Sequence, residues 1–217
     1  VAVPKEFWGQ GLDPQIETSI KTAIKKLEEL GAHISEVSLP MTDYALATYY
    51  IITPSEVSTN LARLDGIRYG FSAEGKNLLE VYEKSRSQGF GKEVQRRIMI
   101  GTFALSTGYY DAYYKKAQQV RTLICRDFDR VFKDHDVIVG PTSPVMAPKI
   151  GEFKDPLQFY MADVYTVQAN LAGLCGISVP CGFGEVDGVQ LPIGLQIMAN
   201  RFQEEKIFKI AHAYESR

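Results

Sequence analysis

Cysteine is scarce in this 217-residue sequence: Cys125, Cys175 and Cys181 are the only three, and they form neither a CxxC pair nor an even-numbered framework. That excludes a disulfide-stapled secreted scaffold and argues against a structural zinc site. The expected compartment is the reducing cytoplasm. Long apolar runs are also missing. No segment approaches the roughly 20 uninterrupted apolar residues of a membrane span, and Val1-Ala2-Val3-Pro4-Lys5 lacks the basic start and apolar stretch of a signal peptide. Nor is there an excess of one charge. With 24 Lys+Arg against 26 Asp+Glu, the net charge of -2 argues against a sequence-independent nucleic-acid sleeve. The sequence has no initiator Met and opens inside a strand-like segment, so it is expected to be part of a longer chain. What remains is an ordinary globular composition, 45% hydrophobic and 23% charged, at a length that can bury a sizeable core.

Local patterns predict a mixture of helices and strands. Val1 to Val3 reads as a strand, and Asp13-Pro14 supplies a helix cap with proline at the first helical position. Ile16, Ile20, Ile24, Leu27 and Leu30 then share one face until Gly31 ends the helix. Residues 34 to 39 return as a strand, giving a βαβ start. From Met41 to about Ala62 the pattern is helical, with a kink or break expected at Pro54. Three more helices are predicted near 77–87, 91–105 and 109–133, the last with Tyr113, Ala117, Val120, Ile124, Phe128 and Val131 on one stripe. Asp136 to Val139 reads as a strand, and two later strands join through the turn dipeptide Asp187-Gly188 before a closing helix near 204–215. The class is α/β.

No complete catalytic constellation is visible. His33, His135 and His212 are far apart and sit in no metal or hydrolase motif, so each reads as an ordinary surface or core histidine. Gly182-Phe183-Gly184 lacks the third glycine and following helix of a dinucleotide fingerprint and reads as a flexible hairpin. Cys175 and Cys181, in apolar surroundings, read as small core hydrophobes. Tyr109-Tyr110 and Tyr113-Tyr114 invite a base-stacking reading, but packing is favoured.

Three stretches taken in order do carry a signal: Val139-Gly140-Pro141-Thr142-Ser143-Pro144, residues Asn170 to Pro180, and Leu191-Pro192-Ile193-Gly194-Leu195-Gln196. They resemble the C-terminal half of amidase signature enzymes. Asn60 to Gly70, Gly89 to Ile98 and Gly108 to Tyr114 resemble, more narrowly, the A-subunit branch of the glutamyl-tRNA(Gln) amidotransferases. The implied fold is the C-terminal half of an amidase-signature α/β domain, a mixed sheet flanked by helices, with 1–217 forming one partial domain.

In that family a Ser-cis-Ser-Lys triad within a Gly/Ser-rich signature attacks a carboxamide. The sequence has neither the signature nor the lysine strand, so no catalytic residue is assigned here and the chain alone is expected to be inactive. The resemblance carries over three substrate-binding positions, Tyr49, Arg97 and Asp163. Glutamine is a zwitterion, and Arg97 would clamp its α-carboxylate, Asp163 would accept from its α-ammonium, and Tyr49 would add a hydroxyl. Read without the resemblance, Arg96-Arg97 could be a solvated helix face and Asp163 could cap the short helix toward Asn170.

The resemblance further implies a glutamine-hydrolysing ligase of protein biosynthesis, a cytoplasmic heterotrimer. A partner B-subunit would use ATP and Mg to convert Glu-tRNA(Gln) to Gln-tRNA(Gln), or Asp-tRNA(Asn) to Asn-tRNA(Asn), and a small C-subunit would wrap both. No metal or cofactor is assigned to this chain. A stand-alone amidase of another carboxamide and a non-catalytic interaction module remain the rival readings.

Overall fold

The computed structural model describes residues 1–9, 11–151 and 160–216. They form two compact units: a sheet unit, Val1–Leu46 with Arg121–Arg217, and a helical unit, Ala47–Val120.

The sheet unit carries a five-stranded mixed sheet. Its strands are β1 (Ala2–Pro4), β2 (Ser35–Val37), β3 (Val137–Pro141), β4 (Cys175–Val186) and β5 (Val189–Ala199), in the order β2-β1-β3-β5-β4. β1 runs parallel to β2 and β3, and β5 runs antiparallel to β3 and β4. Between β1 and β2 lies α1 (Pro14–Glu29), begun by the Asp13 side chain accepting from the Gln15 amide at 2.8 Å and followed by Gly31 at φ +95. It buries Ile16, Ile20, Ala23 and Leu27 against the sheet, while Ile24 and Leu30 of the expected stripe are only half-buried.

Every residue of β3 is buried. With Leu195, Ile197 and Ala199 of β5 and Ile207, Ala211 and Tyr214 of the closing helix (α7, Glu204–Glu215), β3 makes the core. Each fully buried Val, Leu or Ile among them contributes about 1.5 to 3 kcal/mol relative to exposure. Asp187 at φ 51 and Gly188 at φ 78 give the two-residue β4–β5 turn positive φ at both central positions, the geometry that matches strand twist.

Gly182-Phe183-Gly184 is not a hairpin tip. The segment lies inside β4, past an irregularity between Pro180 and Gly182, and pairs with Ile193, Pro192 and Leu191. A Cβ on Gly182 would stand 2.9 Å from the Ser19 hydroxyl, so its glycine reflects the closeness of α1. A short helix, α6 (Val167–Ala172), precedes β4.

The helical unit contains most of α2 (Thr42–Leu61), then α3 (Leu78–Gly89), α4 (Lys92–Leu105), a π-helical turn (Asp111–Lys115) and the start of α5 (Lys116–Val131). Of the kink or break expected at Pro54, the break does not occur: α2 continues to Leu61, and the Ser55 hydroxyl donates to the Ile51 carbonyl at 2.7 Å in the turn that proline interrupts. At this point α4 lies directly on α2, since a Cβ on Gly101 would fall 1.9 Å from the Pro54 carbonyl oxygen.

The single helix expected over 109–133 opens with the π turn and continues as α5; Tyr113, inside the π turn, is exposed, whereas Ala117, Ile124, Phe128 and Val131 are buried as expected. No helix among the described residues is long and apolar enough to cross a membrane.

Candidate functional site

In the sheet unit a groove of about 380 Å³ opens where β3 ends and passes beside β4 and β5. Thr142, Ser143, Met146, Ser178, Pro192 and Gly194 help line it, and among the described residues no ionisable side chain does. The Thr142 and Ser178 hydroxyls are hydrogen-bonded at 2.7 Å, and the Thr142 amide donates to the Gly194 carbonyl at 3.0 Å. A Cβ on Gly194 would meet Ser178 Oγ at 2.5 Å and Thr142 Oγ1 at 2.8 Å, so the glycine makes room for the hydroxyl pair. The turn after β3 is fixed further by the Asp13 amide donating to the Pro144 carbonyl at 2.9 Å.

Beneath it, Phe7 occupies the space a Cβ on Gly140 would need. Tyr165 packs tilted against Phe7, with ring centroids 5.1 Å apart and planes at 56°, and donates its hydroxyl to the Phe7 carbonyl at 3.0 Å. Such a groove can position neutral polar groups by hydrogen bonding. Its described lining offers no acid or base to move a proton.

Asp163 belongs to this unit. It is half-buried, directly follows the groove residue Ala162, and its carbonyl accepts from the Thr166 and Val167 amides. The N-cap of α6 is Thr166, so Asp163 supplies its carbonyl to the turn rather than occupying the cap position.

Tyr49 and Arg97 belong to the helical unit, where Tyr50 lies in contact with both. Tyr49 meets Tyr50 edge-on, with centroids 5.2 Å apart, and the Arg97 guanidinium lies 5.7 Å from the Tyr50 ring. Arg97 Nε donates to Glu93 at 3.1 Å. The two arginines of the pair differ: the Arg97 side chain is 25% exposed and Arg96 is 46% exposed. The solvated-face description therefore fits Arg96 better than Arg97. The Arg97 guanidinium is thus half-buried and held between an aromatic ring and a carboxylate. The Glu93–Arg97 spacing of four residues was readable in the sequence as a helical ion pair. The seat provided by Tyr50, and the Thr142–Ser178–Gly194 arrangement, had no local signal.

Other sequence candidates take structural roles. His33 and His212 are exposed, and half-buried His135 lies between the Ser35 hydroxyl at 2.6 Å and the Val131 carbonyl at 3.0 Å. Burial pushes the Cys181 thiol up to about 11, which makes it a poor nucleophile. Tyr110 and Tyr114 pack on each other, and the Tyr114 hydroxyl donates to Glu56 at 2.9 Å. Among the described residues, no three His, Cys, Asp or Glu side chains converge as a metal site.

The family model for Amidase matches residues 1–208, and the chain belongs to the amidase family. Within it, the chain is 58% identical over 217 residues to the glutamyl-tRNA(Gln) amidotransferase A-subunit of Geobacillus thermodenitrificans, covering 99% of this chain and 44% of that protein. The A-subunit of Lacticaseibacillus casei is 57% identical, with 100% and 44% covered. The crystal structure of the glutamyl-tRNA(Gln) amidotransferase A-subunit from Thermotoga maritima superposes with a TM-score of 0.69 at 41% identity, covering 100% of this chain and 42% of that one. An amidase crystal structure at 20% identity and TM-score 0.74 shares the fold. The chain thus spans less than half the length of the relatives it matches.

Proposed function

We propose that this chain is the glutamine-recognising part of the glutaminase component of a tRNA-dependent amidotransferase. The observation that carries the reading is 58% identity to a glutamyl-tRNA(Gln) amidotransferase A-subunit across 99% of the chain. In the intact protein, a serine outside these 217 residues attacks the carboxamide carbon of glutamine. Ammonia leaves as the acyl-enzyme ester forms, and water then releases glutamate. The ammonia passes to the partner B-subunit, which uses ATP and Mg to amidate Glu-tRNA(Gln) or Asp-tRNA(Asn). A small C-subunit completes a cytoplasmic heterotrimer.

Within this scheme, residues 1–217 form one part of a single amidase-signature domain. Arg97 takes the α-carboxylate of glutamine, Asp163 takes its α-ammonium, and Tyr49 adds a hydroxyl. The seating of Arg97 on Tyr50 beside Glu93 supports that assignment, because a held guanidinium loses less freedom when it binds.

The test measures ammonia release from glutamine. The full-length A-subunit with its partners should release it, and the purified 217-residue chain should give no more than a boiled control. Ammonia release by the short chain would contradict the assignment of nucleophile and base to the rest of the protein. A full-length protein that releases ammonia from other carboxamides but not from glutamine would replace the reading with that of a stand-alone amidase.

A further inference from the structure

Asp163 opens the turn that leads into α6, and the next two carbonyls of that turn are each held by a buried glutamine. Gln168, 1% exposed, donates its Nε2 to the Val164 carbonyl at 3.2 Å. Gln196, 5% exposed, donates its Nε2 to the Tyr165 carbonyl at 3.3 Å. The Asp163 carbonyl is occupied too, by the Thr166 and Val167 amides at 3.0 Å and by the Thr166 hydroxyl at 3.1 Å.

The anchors come from distant stretches of the chain, all within the sheet unit. Gln168 Oε1 accepts at 3.2 Å from the hydroxyl of Thr42, the buried first residue of α2. Gln196 lies on β5, opposite Gly140 of β3 and Ser178 of β4. Its neighbours Leu195 and Ile197 join the core with α1 and α7, so strand alternation puts Gln196 on the other face, beside Gly194 and the Thr142–Ser178 hydroxyl pair. Tyr165, whose carbonyl Gln196 holds, is tied at its far end by its hydroxyl bond to the Phe7 carbonyl.

Asp163 itself is only half-buried, on a turn fastened by β5, by α6 and by the segment after β1. A carboxylate on a loose turn loses that freedom when it binds a cation; here the backbone has lost it already. The glutamines are not needed for packing. Burying an amide costs free energy that its hydrogen bonds must recover, and a methionine or leucine would fill either place without that cost. What an apolar residue cannot do is fix the carbonyls beside Asp163.

We propose that Gln196 and Gln168 are positioning residues for glutamine: neither meets the substrate, and both hold the turn so that the Asp163 carboxylate meets the α-ammonium. The inference rests on reading Asp163 as the acceptor of that ammonium.

The test is glutamine hydrolysis by the full-length A-subunit with its partners, carrying Gln196→Met, Gln168→Met or Asp163→Ala, or each glutamine substitution combined with Asp163→Ala. Assays are run below the melting range of every variant, so that lost fold is not read as lost binding. Each glutamine substitution alone should raise KM about 3- to 10-fold, the effect of one neutral hydrogen bond, with kcat changing less than about 2-fold. In the Asp163→Ala background the same substitutions should change kcat/KM by less than about 2-fold, because the group they position is gone.

Unchanged KM in both single glutamine variants overturns the proposal. Equal fold-losses with and without Asp163 also overturn it, and make the glutamines general supports of the sheet unit. Should Gln196→Met fail to fold, Gln168→Met carries the decision. Unchanged KM in Asp163→Ala contradicts the reading of Asp163 itself, a result obtained without either glutamine variant.

Discussion

The sheet unit buries Phe7, Val137, Ile138, Val139, Leu195 and Ile197 completely, whereas the buried residues of the helical unit are mostly small or polar, with Thr48, Pro54, Ser55, Ser58, Asp65, Gly66, Ser85, Gly101, Ala104 and Ala117 beside Ile52 as the one large aliphatic. The first interior is held by apolar area removed from water. The second is held by close backbone approach and hydrogen bonds, with Ile67, Tyr69, Phe71, Met99 and Phe103 turned outward. The two units also divide the sequence signals. The stretches whose sequence resembles amidases at large fall in the sheet unit, and those that resemble the amidotransferase A-subunits fall in the helical unit. The unit with the conventional core thus carries the broader resemblance, and the unit whose large side chains stay outside carries the narrower one.

The largest expected effect tests the sheet unit. Phe7→Ala removes a completely buried ring that also packs against Tyr165, and should cost about 3 to 5 kcal/mol in denaturant unfolding. A cost below about 1 kcal/mol would show that this interior is not close-packed. The next tests the helical unit. Gly101→Val places atoms on the Pro54 backbone, which cannot yield as a flexible side chain does, and should cost about 3 kcal/mol. Hydrogen exchange should show the loss in α2 and α4 while β3 and β5 keep their protection. Equal loss in both units would erase the distinction between them.

The smallest effect is acid sensitivity. Hydrogen bonds from the Arg68 and Ile67 amides, joined by the Arg68 guanidinium, hold the Asp65 carboxyl down to about 2. An unfolded aspartate takes up its proton near pH ~4. The stability from Asp65 is therefore complete above about pH 4 and is lost as pH falls from there through about 2. Asp65→Asn should remove that dependence from the helical unit's melting. An identical acid limb in the variant would assign it to other carboxylates.

Much of the sheet unit was legible because its signals are local. Asp13-Pro14, the Ile16–Ile20–Leu27 face and the Asp187-Gly188 turn each act within a few residues. Less of the helical unit was. A π turn leaves no compositional mark, so Tyr113 was placed on a stripe it does not join. Pro54 argued for a break, but Gly101 lies 47 positions along the chain, and its contact with Pro54 has no local trace.

The candidate site was legible only through resemblance. Local pattern could not separate Arg96 from Arg97, because the distinction comes from Tyr50, on another helix. The groove at Thr142, Ser178 and Gly194 depends on three strands meeting, and no one segment of the sequence records it.

The most direct test of the account is the kinetics of Arg97→Ala in the full-length A-subunit with its partners, followed as glutamine hydrolysis across substrate concentrations. If Arg97 is the proposed carboxylate clamp, remote from the scissile amide, it binds ground and transition states alike, and its loss should act mainly on KM. A charge-assisted hydrogen bond contributes about 1.5 to 3 kcal/mol, so KM should rise roughly 10- to 100-fold while kcat changes less. Arg97→Lys should recover only part of this, because an ammonium lacks the planar fork. Unchanged KM and kcat in Arg97→Ala, at unchanged thermal stability, would contradict the account and leave Arg97 as an ion-paired arginine of α4.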